Sequence, residues 1–146
     1  MNLLLIHGPN LNRFGERDAA QYGSVTFAQI ESLVVDETKK LGHGVKKFQS
    51  NHEGALIDFL QAESKNAHGI IINPGALSHY SYALYDALVD TKLPVVEVHL
   101  SDIKSREAWR RISVTAPACI AQISGKKEAG YSEAVAVLHQ HLSKQV

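Results

Sequence analysis

Apolar positions in this chain fall into short unbroken runs that alternate with stretches at helical spacing. Leu3, Leu4, Leu5 and Ile6 form one such run, as in a parallel strand buried on both faces. A loop follows from Gly8 to about Val25, with few apolar residues and longer than the usual connection of about 2–6 residues. Thr26 and Gln29 then form a capping box, and Ile30, Leu33, Val34 and Leu41 recur on one face of a helix ending at Gly42. The pattern next predicts a strand over 45–50, a helix over 53–66 with Leu56, Phe59 and Leu60 inward, and a wholly apolar strand over 69–73. A helix over 80–91, strands over 94–98 and 118–124, and a last helix over 127–144 complete the alternation. Tyr131, Val135, Leu138 and Leu142 share one face of that last helix.

Five strands interleaved with helices imply an α/β fold, a doubly wound five-stranded parallel sheet of flavodoxin-like order with helices on both faces. The 146 residues make one domain, 1–146, large enough to bury roughly 70% of its unfolded surface. The loop at about 10–24 reads as a lid, with Gly15 and Gly23 as hinges.

Charge narrows the partners. Fifteen basic and fifteen acidic side chains cancel, which gives no broad electrostatic reason to expect nucleic acid or an anionic membrane and favours a small molecule. No basic leader or membrane-length apolar run is visible, so a cytoplasmic location is expected. The single cysteine, Cys119, lies in an apolar run and is expected to be a buried strand thiol. His52-Glu53 lacks the second histidine of a zincin helix, and His139-x-His141 reads as a solvated face, so no metal is expected.

Open α/β sheets bind ligands at the carboxyl ends of their strands. The first strand delivers Asn10 there, after Gly8 and Pro9 break the chain. The third delivers Asn73, Pro74, Gly75, Ser78 and His79, and the fourth delivers Glu97, His99 and Ser101, with Arg110 shortly after. Glu97 and His99 are two apart and share a strand face, so the carboxylate can orient or charge the imidazole. Arg17 and Tyr22 lie close in the loop. A tyrosine is a poor base unless a neighbouring cation favours its phenolate. Two readings of this loop remain open on pattern alone: an active-site loop, or a surface loop in which Tyr22 packs on the domain and the arginines are solvated. His79 and Asn73 likewise read either as ligand contacts or as loop caps. No lysine stands at a strand end as a Schiff-base nucleophile, and His7 has no evident role.

The motifs Gly8-Pro9-Asn10-Leu11-Asn12, Gly15-x-Arg17, Tyr22-Gly23, Asn73-Pro74-Gly75-Ala76-x-Ser78-His79 and Glu97-Val98-His99-Leu100-Ser101, with Arg106-Glu107 and Arg110, resemble the type II 3-dehydroquinases. The resemblance covers nearly the whole chain, in order and at the family's spacing. Departures fall at Arg13-Phe14, Asp18-Ala19 and Ser78, outside the reacting groups. The resemblance implies loss of water from 3-dehydroquinate to give 3-dehydroshikimate through an enol or enolate, without a cofactor, in the shikimate or quinate pathway. It implies Tyr22 as base beside Arg17, Asn10 on the enolate oxygen, His99 as acid and Glu97 as its orienting partner. Asn73, His79, Arg110 and the Leu100-Ser101 backbone would hold substrate. Asp86 would reach a neighbouring subunit's site in a dodecamer built of trimers. Two rival readings are a flavodoxin-like binding module without catalysis and a different lyase or isomerase on the same scaffold.

Overall fold

A computed structural model describes residues Met1–Val146. Five parallel strands, β1 (Asn2–His7), β2 (Gly44–Gln49), β3 (Gly69–Asn73), β4 (Val95–His99) and β5 (Ala121–Ser124), form one sheet in the order β2-β1-β3-β4-β5. This is the flavodoxin-like order that the alternation predicts. In register, Leu5 of β1 lies between Lys47 of β2 and Ile71 of β3, and His7 lies beside Asn73. The helices are α1 (Ala19–Tyr22), α2 (Phe27–Lys40), α3 (Glu53–Glu63), α4 (Tyr82–Thr91) and α5 (Ala129–Ser143).

Strand side chains alternate between two cores. Leu3, Leu5, Ile71, Val96 and Val98 pack with Ile30 and Val34 of α2 and with Tyr131, Val135 and Leu138 of α5. Leu4, Ile6, Ile70, Ile72 and Val95 pack on the other face with Leu56 and Leu60 of α3 and Leu84 and Leu88 of α4. Because β1, β3 and β4 are covered on both sides, their apolar runs are continuous rather than alternating.

Local chemistry sets the helix starts. Thr26 and Gln29 form the expected capping box: the Gln29 N–H donates to Thr26 Oγ1 at 3.2 Å, and the Thr26 N–H to Gln29 Oε1 at 2.9 Å. Ser81 caps α4 through the Leu84 N–H, so that helix begins at Tyr82 rather than at residue 80. Leu41, expected inward, lies past the end of α2 and is exposed. Pro117 sits in a 3-10 turn at Ala116–Ala118, which shortens β5 and leaves Cys119 outside it. Cys119 is therefore a partly buried turn thiol, not a strand residue, with Sγ 3.4 Å from the Thr115 carbonyl. His139 is not simply solvated, since its Nδ1 lies 2.8 Å from Nε2 of His43.

Candidate active site

The carboxyl ends of β1, β3 and β4 converge on a cleft of about 100 Å³ lined by residues of both the 9–22 and 100–110 segments. Its floor depends on a close backbone crossing. The Gly8 N–H donates to the Asn73 carbonyl at 2.8 Å, and a Cβ at Gly8 would overlap the Pro74 carbonyl. The chain then turns through Asn10, whose φ of 70° is left-handed, a region asparagine tolerates better than most residues. The Asn51 side chain accepts the Asn10 N–H at 2.9 Å, which fixes this turn from the segment after β2.

The loop is structured rather than featureless. Leu11 and Phe14 are buried in the α2/α5 core and anchor it. Asp18 accepts the Ala20 N–H and starts the single turn of α1, which ends at Tyr22. That turn places the phenol in the cleft beside Arg17. Arg17 Nη2 donates to the Tyr22 hydroxyl at 2.9 Å, and its guanidinium carbon is 3.9 Å from the ring centroid. Arg106 Nη1 donates to the same oxygen at 2.8 Å and to Ser101 Oγ at 3.2 Å. Two cations thus converge on one phenol oxygen, an arrangement that favours negative charge there. Partial burial and the neighbouring cations Arg106 and Arg110 lower the guanidinium pKa of Arg17, partly offset by Tyr22.

On β4, His99 Nε2 lies 3.0 Å from Oε2 of the fully buried Glu97. Glu97 also accepts from Ser113 Oγ and Gln122 Nε2, each at 2.8 Å, and from Thr115 Oγ1. Burial pushes this carboxyl up, but the hydrogen bonds from His99, Thr115 and Gln122 outweigh it and hold the group below the ordinary range. Glu97 is thus an ionised acceptor for the imidazole N–H, which leaves His99 Nδ1 for the cleft.

His79 stacks near His99, with ring centroids 6.4 Å apart, and its Nδ1–H donates to the Ile112 carbonyl at 2.8 Å. Burial lowers its pKa and favours the neutral ring. The Arg110 guanidinium lies 4.0 Å from the Trp109 ring centroid, with Nε 2.8 Å from Glu107. Asn73 is 3% exposed and joins the lining, as do Leu100 and Ser101.

Asn10, Arg17, Tyr22, Asn73, His79, His99, Leu100, Ser101 and Arg110 all line this one cleft, and Glu97 stands behind His99. Asp86 does not, since it is exposed on α4. Sequence reasoning missed the contact of Arg106 with Tyr22 and those of Ser113, Thr115 and Gln122 with Glu97. Nothing local in the sequence pointed the Ser113 and Thr115 hydroxyls at Glu97, since both lie in an irregular segment after β4. Cys119 is no nucleophile, because burial pushes its thiol up to about 12.

The cleft is lined by three arginines, two histidines and two asparagines, and by no acidic residue or lysine. Fold and cleft define an α/β protein with an acid–base site suited to a hydroxylated anion. The Dehydroquinase class II family matches residues 1–139, and the chain belongs to that family. It is 52% identical to a 3-dehydroquinate dehydratase of Roseiflexus castenholzii over 135 residues, covering 92% of this chain and 86% of that one. It is 49% identical to a 3-dehydroquinate dehydratase of Clostridium perfringens, covering 99% and 100%. The crystal structure of type II dehydroquinase from Butyrivibrio crossotus superposes with a TM-score of 0.92 at 43% identity, covering 94% of this chain and 97% of that one.

Proposed function

We propose that this chain is a hydro-lyase that removes water from 3-dehydroquinate to give 3-dehydroshikimate. The observation that carries the reading is one cleft holding both the Tyr22 oxygen between two guanidinium groups and the His99 ring on the Glu97 carboxylate. Family membership and the named relatives support the substrate.

The Tyr22 phenolate takes the proton from the carbon next to the substrate ketone, and Arg17 and Arg106 stabilise the phenolate until it is consumed. The electron pair left on carbon delocalises onto the ketone oxygen, where Asn10 donates a hydrogen bond, directly or through one water. Collapse of this enolate expels the β-hydroxyl. Hydroxide is a poor leaving group, so protonated His99 supplies a proton and water departs. Glu97 orients the ring and balances its charge. Tyr22 ends protonated and His99 neutral, and one net proton transfer through solvent restores both. Arg110, His79, Asn73 and the Leu100-Ser101 backbone hold the carboxylate and hydroxyls of the substrate. With no lysine lining the cleft, no imine forms and no cofactor is called on.

The assembly is a dodecamer built of trimers, in which Asp86 of one copy completes the cleft of another. Exposed apolar side chains support a second copy here: Tyr82 and Val89 lie on α4 with Asp86, and Ile112 borders the cleft segment. We place the enzyme in the cytoplasm, a reading supported by the lack of any helix long and apolar enough to cross a membrane. The step serves both the shikimate route to aromatic amino acids and the breakdown of quinate. Mixing purified protein with 3-dehydroquinate and following ultraviolet absorbance tests the reaction, because elimination creates a conjugated enone. Catalytic growth of that band is expected, and no growth with folded protein overturns the reading.

A further inference from the structure

One residue of the α2/α5 core does not match its surroundings. Tyr131 is fully buried among Leu3, Leu5, Ile71, Val98 and Leu138. Removing a hydroxyl from water is costly unless it finds a partner, and phenylalanine would fill the same space without that cost. The Tyr131 hydroxyl has a partner: Nδ2 of Asn73, at 3.0 Å. Burial also raises the phenol's pKa, so it is neutral.

The Asn73 carboxamide has a second fixed contact at its other end. The Gly75 N–H donates to Oδ1 at 3.1 Å. A backbone N–H needs an acceptor, so the oxygen end must face Gly75 and the nitrogen end must face Tyr131. The phenol oxygen then accepts from Nδ2. A flipped amide would set one N–H against another at Gly75 and leave both unpaired. One Nδ2–H and one Oδ1 lone pair remain free at the cleft wall.

We propose that Tyr131 is a positioning residue for substrate recognition: by accepting from Nδ2 it holds in place the Asn73 carboxamide, whose polarity the Gly75 N–H sets, so that the amide meets a substrate hydroxyl as a preset donor–acceptor pair. The inference rests on the assignment of Asn73 to substrate binding made above.

Steady-state kinetics of Tyr131→Phe, Asn73→Ala and the double variant test it. Tyr131→Phe is expected to raise KM about tenfold and to change kcat less than about twofold. In the Asn73→Ala background the same substitution is expected to add nothing, because its route to substrate is gone. An unchanged KM in Tyr131→Phe, or an equal effect in both backgrounds, overturns the proposal and leaves the hydroxyl a purely structural role.

A second readout is independent of turnover. The two carboxamide protons of Asn73 are expected as well-separated resonances with one protected from solvent exchange, and Tyr131→Phe is expected to bring them together. Rapid exchange of both protons in the wild type overturns the proposal, whatever the variant does. Wild-type protein inactive on 3-dehydroquinate would sink the functional reading, while this spectrum still decides the positioning.

Discussion

The Arg106 guanidinium lies 2.8 Å from the phenol oxygen of Tyr22, joining the segment after β4 to the end of the loop after β1. Arg17 approaches the same oxygen from within the loop. A hydrogen bond from a charged donor is worth about 1.5–3 kcal/mol. Arg106→Met is therefore expected to lower kcat by about 10- to 150-fold, with less change in KM. Initial rates on 3-dehydroquinate check this, and an unchanged kcat would remove Arg106 from the chemistry.

Glu97 carries a pH signature. Its folded pKa lies below the ordinary carboxyl value of 4.5, so its stabilising contribution is present above 4.5 and is lost as pH falls through the lowered folded value. Glu97→Gln should flatten that acid-side loss of stability in urea titrations run from neutral pH downward. The new amide also turns an N–H toward donors that now lack a carboxylate, which disturbs the His99 ring, so kcat should drop about a hundredfold or more.

His7 has the same sign at higher pH. Its ring is fully buried, 4.7 Å from Phe27, with Nε2 3.6 Å from Glu31. Burial outweighs the pull of Glu31 and lowers its pKa below 6.5. Unfolded chains take up the proton first, so this contribution is present above 6.5 and is lost as pH falls below it. Thermal melts between pH 7.5 and 5 should show a shallower pH slope in His7→Leu. The slope should not vanish, because His79 and His43 are shifted the same way.

Gly8 and Gly42 separate steric closeness from backbone conformation. A methyl at Gly8 meets the Pro74 backbone, which cannot yield as a flexible side chain would, whereas nothing lies near a Cβ at Gly42. Gly8→Ala is expected to cost about 1–3 kcal/mol in urea titrations and to reduce kcat by moving Asn10. Gly42→Ala, at φ +77°, should cost about 1 kcal/mol and leave kcat intact.

What the sequence revealed and what it hid have physical causes. β3 was legible to the residue because Gly69–Asn73 is an unbroken apolar run, and α2 because its cap is local. β5 was overextended because apolar composition does not distinguish a strand from the 3-10 turn around Pro117. The clustering of Asn10, Asn73, Glu97 and His99 was legible because topology sends strand ends to one edge. The donors to Glu97 and the reach of Arg106 were not, since those contacts exist only after distant segments pack together.

Turnover of 3-dehydroquinate by wild-type protein and by Tyr22→Phe, followed as enone absorbance, tests the central claim most directly. The variant keeps the ring that packs near Phe14 and loses only the hydroxyl, so its fold should persist. The wild type should turn over and Tyr22→Phe should be slower by about a thousandfold or more. Near-normal turnover in a folded Tyr22→Phe would contradict the phenolate mechanism.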